Sequence, residues 1–165
     1  MSIDFKRLKL IISEIDGIVT EHLTAFDPMG ISIFKQYNLK DFEAVNELKK
    51  IFTFVFISSD NSINYKVCRD KNIPFYYAQK SKLSEISNIL KRYNVTPDEV
   101  LYVGSTYSDL DCINLIPLSA CPSDSVAEVR NAALIKLENP SGLGVLCELY
   151  SLLRNEINIR KRLDF

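Results

Sequence analysis

The sequence predicts an α/β domain: a parallel sheet covered on both faces by helices, in three layers. Three observations carry the prediction. Apolar runs of strand length alternate along the chain with amphipathic segments of helical period. The chain has 165 residues, 47% of them hydrophobic, which suits one domain with a sizeable core. Finally, the first apolar run, Leu8–Ile12, leads straight into Ser13-Glu14-Ile15-Asp16-Gly17-Ile18-Val19-Thr20. That is a polar, turn-forming string at a strand end, where open α/β sheets place their ligands.

The strands are expected at Leu8–Ile15, Phe52–Ile57, Pro74–Tyr77, Val100–Val103, Leu118–Ala120 and Leu134–Leu137, with helices between them. Asp41 is read as the cap of a helix running to about Lys50, and Ser62 as the cap of Ile63–Lys71. Ser81 opens Lys82–Tyr93, whose Leu83, Ile86 and Leu90 share a face. Thr96-Pro97-Asp98-Glu99 has the form of a capping box with proline at the first helical position. Ser123 or Asp124 starts a helix through about Asn131, and Leu143–Asn155 forms the last one. The tail Arg154–Phe165 reads as a solvated helix end whose cations suit the dipole. One segment, Thr20–Asn38, breaks the alternation. Asp27-Pro28-Met29-Gly30 is a turn flanked by β-formers, so a hairpin over about 21–38 is expected to project after the first strand.

Bulk properties narrow the function classes. Lys+Arg is 20 and Asp+Glu is 21, a formal net charge of −1, which gives no case for nucleic-acid binding. No apolar stretch approaches the roughly 18 residues that a membrane span needs. The charged segment Met1 to Lys9 lacks a signal-peptide core, so a cytoplasmic location is expected. Cys68, Cys112, Cys121 and Cys147 are scattered among apolar neighbours and read as reduced core thiols. His22 is the only histidine, which argues against zinc.

The chemistry resides in Glu14-x-Asp16-Gly17-x-x-Thr20. A carboxylate nucleophile can split phosphate-ester hydrolysis into two steps through an acyl phosphate. It needs its oxygen in line with phosphorus and close to a divalent metal. A second carboxylate two residues on can protonate the leaving group and then activate water. Ser58 or Ser59, after Phe54–Ile57, is placed to hydrogen-bond a phosphate. Lys82 sits in the first turn of its helix, where the dipole disfavours a cation, so an anion or an acidic partner is expected beside it; Lys80 competes for the role. Val103-Gly104-Ser105-Thr106-Tyr107-Ser108-Asp109 leaves Asp109, with Glu14 and Asp16, as candidate ligands for Mg²⁺.

A strand followed by this string resembles the first motif of the haloacid dehalogenase (HAD) superfamily, Asp-x-Asp-Gly-x-x-Thr, in which the first Asp takes the phosphoryl group. Asp16, Gly17 and Thr20 are in register, and Glu14 stands at the nucleophile. From about Leu8 to Leu153 the chain resembles the small, capless KDO 8-phosphate phosphatase group, and with it the C-terminal domain of animal acylneuraminate cytidylyltransferases. Besides the first motif, the carrying residues are the hairpin, Leu39-Lys40-Asp41, Ile57-Ser58-Ser59-Asp60, Lys82-Leu83, Leu101-Tyr102-Val103-Gly104-Ser105 and Ser141-Gly142-Leu143-Gly144. The resemblance implies a capless HAD-like (Rossmannoid) sandwich and a tetramer in which the hairpin helps close a neighbour's site. It also implies Mg²⁺-dependent hydrolysis of an acidic sugar phosphate, with Glu14, Asp16 and Lys82 catalytic and Ser58, Ser59 and Lys82 on the phosphate.

The departures from that pattern share a direction. The carboxylate of Glu14 reaches roughly 1.5 Å further than that of an aspartate, about one C–C bond. Misplacement by about 1 Å can cost on the order of 100-fold in rate. Ser105 and Thr106 stand where the resemblance places acids, Asp60 replaces an Arg, and Cys147 stands in another Arg position. Each change removes affinity for phosphate or metal. The expectation is therefore an impaired homologue with weak or no Mg²⁺, serving as an oligomerisation or regulatory domain in acidic-sugar (KDO or sialic acid type) or surface-polysaccharide metabolism. An active Mg²⁺-dependent phosphatase and a sugar or nucleotide binder stand as alternatives.

Overall fold

Leu10–Glu14 (β1) is buried along its whole length, because it is the strand around which the sheet is ordered. Leu10 and Ile12 face one apolar cluster and Ile11 the other, so both faces of this parallel strand are covered. The computed structural model describes residues 3–163. After β1 come a hairpin of Ala25–Phe26 (β2) and Ser32–Phe34 (β3), then helix Leu39–Leu48 (α1). Thr53–Ser58 (β4), Ile63–Asp70 (α2), Phe75–Tyr77 (β5) and Lys82–Tyr93 (α3) follow. The second half holds Val100–Val103 (β6), Leu110–Leu115 (α4), Leu118–Cys121 (β7), Ala127–Ala132 (α5), Ile135–Lys136 (β8) and Val145–Leu163 (α6).

The six-stranded sheet has the order β5-β4-β1-β6-β7-β8, and every pairing in it is parallel. Strand order reverses at β1: the chain first builds outward through β4 and β5, then returns to the other flank at β6. That reversal opens a crevice at the carboxyl ends of β1, β4 and β6. Phe42, Val45 and Leu48 of α1 and Leu146, Leu149, Leu153 and Ile157 of α6 fill one face. Ile86 and Ile89 of α3, Cys112 and Ile113 of α4 and Val129 of α5 fill the other. This is the expected three-layer α/β sandwich with the hairpin after the first strand. Among the described residues, no helix is long and apolar enough to cross a membrane.

Local details differ from the sequence reading in ways that packing explains. Asp41 is not the cap of α1; Asn38 is, its side chain accepting from Lys40 N. Asp41 instead lies buried in the first turn, and its Oδ1 accepts from Leu146 N and Cys147 N at the start of α6. Ser62 makes no side-chain cap. Leu83 and Leu90 pack beside Ile86 as partly buried members of the core-facing side of α3, and Ile89 joins them as a fully buried one. Thr96–Glu99 forms a single 3₁₀ turn that delivers the chain into β6. The helix expected from Ser123 or Asp124 starts only at Ala127, because Asp124 Oδ1 is engaged by Ser141 N and Oγ. The last helix extends to Leu163; Arg154, Lys161 and Arg162 are exposed, whereas Arg160 is half-buried. Its guanidinium donates to the carbonyls of Phe5, Lys6 and Leu8 and lies 4.8 Å from the Phe52 ring centre. Phe165 lies outside the described residues. All four cysteines are free; Cys68, Cys112 and Cys121 are buried and Cys147 is half-buried.

Candidate functional site

Gly17 makes the turn out of β1 possible. Its φ of +81° suits glycine, and an added Cβ would lie 1.8 Å from His22 Nε2. Thr20 then closes the loop: its hydroxyl accepts from Gly17 N and donates to Asp16 Oδ1, both at 3.3 Å. Glu14 and Asp16 are thereby held at the carboxyl end of the strand. The two diverge into separate polar clusters.

Glu14 is buried and turns toward α3. Its Oε1 accepts from Ile15 N at 3.0 Å, and its Oε2 pairs with Lys82 Nζ. Lys82 Nζ also donates to Asp109 Oδ1 at 2.6 Å. The two carboxylates explain why a cation sits in the first turn of α3 against the dipole. Asp109 is engaged on both oxygens. Tyr102 OH donates to Oδ1 at 2.7 Å, and Ser105 N and Thr106 N each donate to Oδ2 at 2.9 Å. Gly104 leaves room for this fold-back, because a Cβ there would lie 2.6 Å from Asp109 Cβ.

The electrostatics follow. Burial pushes the Glu14 carboxyl up to about 7, against the pull of Lys82. Burial also opposes charge on Asp109, yet Lys82, Thr106 N and Tyr102 hold its carboxyl below the usual range. Lys82 is raised: burial works against its charge, but Glu14 and Asp109 more than offset it. The ammonium therefore stays charged, Asp109 is its ionised partner, and Glu14 is the weaker acid of the two carboxyls. Removing one partner from such a buried set costs about 3–5 kcal/mol, because a charge is left uncompensated.

Asp16 faces the hairpin. Lys35 Nζ donates to both its oxygens, at 2.9 and 3.0 Å, and Asn64 Nδ2 and Ser58 Oγ donate to Oδ2 at 2.8 and 3.2 Å. Lys35 also pairs with Asp60 at 2.6 Å, and its side chain is 2% exposed. Burial opposes the Lys35 charge, but Asp60 and Asp16 raise it above the usual lysine value.

Of the residues selected from sequence, the fold gathers Glu14, Lys82, Ser105 and Asp109 in one cluster and Asp16 and Ser58 in the other. Ser59 and Lys80 are exposed and outside these contacts. Lys35, Asn64, Tyr102 and the His22–Ser105 hydrogen bond of 2.9 Å were not anticipated as parts of the site. A single charge in the β-forming segment Ile31–Tyr37 was the available signal for Lys35. Asp60, read as an added anion beside a substrate, is the counter-charge of Lys35.

The six-stranded parallel sheet flanked by helices matches a HAD-like Rossmannoid fold. Within that class the chain is similar to the KDO 8-phosphate phosphatase group, and also to acylneuraminate cytidylyltransferases. It is 23% identical over 151 residues to the 3-deoxy-D-manno-octulosonate 8-phosphate phosphatase of Haemophilus influenzae, covering 90% of this chain and 83% of that protein. It is 22% identical over 148 residues to N-acylneuraminate cytidylyltransferase A of Danio rerio, covering 86% of this chain and 34% of that longer protein. No family model matches the sequence. Among solved structures, the cobalt-bound phosphatase of Haemophilus influenzae superposes with a TM-score of 0.84 at 21% identity, covering 91% of this chain and 90% of that one. The phosphatase of Moraxella catarrhalis, solved with magnesium, phosphate and KDO, gives 0.84 at 17% identity, covering 98% and 95%. Both relatives therefore hold a divalent metal on this fold.

Proposed function

We propose that this chain is a catalytically impaired homologue of the HAD-like sugar-phosphate phosphatases. It serves as an oligomerisation or regulatory domain in acidic-sugar or surface-polysaccharide metabolism, in the cytoplasm and without nucleic-acid or membrane partners. The observation that carries this reading is the saturation of the site by the protein's own donors. Asp109 spends its oxygens on Lys82, Tyr102, Ser105 N and Thr106 N. Asp16 spends its oxygens on Lys35, Asn64, Ser58 and Thr20. Magnesium takes near-octahedral oxygen ligands and favours anionic ones. What remains is a glutamate carboxyl already paired with Lys82 and a serine hydroxyl already bonded to His22. This donor set does not fit a magnesium ion as it stands. Asp16 is equally ill placed as an acid/base, since moving a proton there disturbs its pairing with Lys35.

The exposed hairpin supports assembly. Phe26 is 62% exposed and Phe34 60%, beside a groove of about 520 Å³ lined by Leu23, Phe34 and Leu143. A homotetramer is the proposed state. The alternative, an active Mg²⁺-dependent phosphatase of an acidic sugar phosphate, is favoured by one observation: Glu14 has a cation, Lys82, beside it and Asp16 a hydroxyl donor, Ser58, as the resemblance implies.

The test is a screen of sugar phosphates with and without Mg²⁺. The wild type and Glu14→Asp should both fall below the usual enzyme range of about 1–1000 s⁻¹. Combining Glu14→Asp with Ser105→Asp should do more than the sum of the single changes in free energy, since both act on one metal–nucleophile unit. Wild-type turnover inside that range would establish the alternative.

A further inference from the structure

We propose that His22 bars divalent cations from the Glu14–Asp109 cluster, its imidazole standing over Ser105 in the space that a hydrated metal ion would need. The inference deepens the impaired-homologue reading and rests on it for the site concerned.

Ser105 is engaged at three atoms. Its N–H donates to Asp109 Oδ2 at 2.9 Å, its carbonyl accepts from Val126 N at 3.1 Å, and its hydroxyl meets His22 Nε2 at 2.9 Å. Ser105 is buried, while His22, the chain's one histidine, is exposed. The imidazole is the solvent-side cover of the hydroxyl. It also lies hard against Gly17: a Cβ added there would be 1.8 Å from His22 Nε2, 2.1 Å from Cε1 and 2.5 Å from Ser105 Oγ. Ring edge and hydroxyl together fill the room left by the missing side chain. His22 holds this place with a φ of +59°, a left-handed conformation that glycine adopts more readily than histidine. The backbone here suits a glycine, and the ring is kept in place by what it touches. Charge balance shows what the cover withholds. Glu14 Oε2 pairs with Lys82, whereas Oε1 accepts from Ile15 N at 3.0 Å and Asp16 N at 3.4 Å and, among the described residues, meets no cation. A carboxylate oxygen with capacity to spare, near a hydroxyl, is a start for magnesium, which takes about six oxygens and keeps several as water. The imidazole takes the hydroxyl and the room for those waters, and its nitrogen suits softer metals than magnesium. A carboxylate placed at residue 105 would meet the same ring and bond to it rather than to a cation.

The test is metal binding by the full chain at one fixed pH, with Mn²⁺ followed by loss of its free-ion paramagnetic resonance signal and Mg²⁺ by calorimetry. Wild type, His22→Gly and Ser105→Asp should each bind weakly. Ser105→Asp combined with His22→Gly should bind Mn²⁺ on the order of tenfold tighter or more than Ser105→Asp alone, because the new carboxylate no longer spends itself on the ring, and Mg²⁺ should compete. Ser105→Asp combined with His22→Asn is the second variant. Asparagine is shorter and also accepts a left-handed backbone, so its effect should have the same direction. Thermal melts without metal identify which variants are folded. Equal Mn²⁺ affinity with and without His22 in the Ser105→Asp background overturns the barrier. Wild-type binding of Co²⁺ or Zn²⁺ that His22→Gly abolishes overturns it too, because the imidazole would then be a ligand. Metal-independent turnover of a sugar phosphate by the wild type would instead overturn the impaired-homologue reading and leave the barrier standing.

Discussion

Glu14 and Lys82 share a buried ion pair at the end of β1, and the fate of one proton there sets a measurable pH dependence. Burial raises the Glu14 carboxyl to about 7, against an ordinary value of 4.5. The folded state therefore binds this proton more tightly than the unfolded chain does. Its stabilising contribution is complete below about pH 4.5 and is lost as the pH rises through about 7. Glu14→Gln removes the ionisation and keeps an amide oxygen for Lys82, whose charge stays paired with Asp109. Its effect on unfolding free energy should be more favourable at pH 8 than at pH 5, by about 1–3 kcal/mol. Denaturant melts of both proteins at the two pH values check this, and a difference of the opposite sign sinks the assignment. The conspicuous residues at this scale were legible beforehand, because Glu14, Asp16, Lys82 and Asp109 are polar groups at strand and helix ends. Lys35 and Tyr102 were not. Their roles come from partners 19 and 7 residues away, at spacings that belong to no motif.

At the scale of elements, α1 and α6 are joined by one carboxylate. Asp41 belongs to α1 but accepts the first free N–H groups of α6, from residues 105 and 106 positions away. The first N–H groups of any helix lack internal partners, and a capping carboxylate also answers the dipole. Among the described residues Asp41 Oδ2 has no hydrogen-bond partner, and burial pushes the carboxyl up in spite of the helix amides. The cap is therefore supplied by one oxygen and needs no full charge. Asp41→Ala should lower stability by about 1–3 kcal/mol, through an absent cap and buried N–H groups left unpaired. Asp41→Asn, which keeps the accepting oxygen, should lose less. Thermal melts of the two variants decide it; an alanine variant as stable as the asparagine one would mean the cap contributes nothing. From sequence, Asp41 was readable as a capping residue but was assigned to the wrong helix. Local preference says that a short acid likes a helix start, and only packing says which start lies within its reach.

At the scale of the whole molecule, the hairpin is the segment that a single chain leaves unfinished. Met29 is 85% exposed, Phe26 62% and Ile31 56%, in a segment paired only with itself. An exposed apolar surface of this kind is what the proposed assembly would cover. Light scattering at micromolar concentration is expected to give a homo-oligomer, most simply a tetramer, and replacing Phe26 and Phe34 with serine should shift it toward monomer without lowering the melting point of the sheet. A monomeric wild type would remove the assembly function.

The sheet, its two covering layers and the crevice were written in the order of the residues. Unbroken apolar strands must be buried on both faces, helical periodicity must cover them, and Gly17 after β1 turns the chain out at the strand's carboxyl end. The patterns that signal those constraints are local and can be read along the chain. The identity of each carboxylate's partner is not local. Lys82 bonds across 27 residues to Asp109, and Lys35 bonds across 19 to Asp16. Whether an acid faces a lysine, a backbone amide or open space depends on how elements from both halves of the chain meet. Sequence therefore revealed a departure from the phosphotransfer pattern at Glu14, Asp60 and Ser105. Only the tertiary structure decided that the polar cluster is closed by the protein's own cations and amides, because compensation of a buried charge is a property of three-dimensional neighbours.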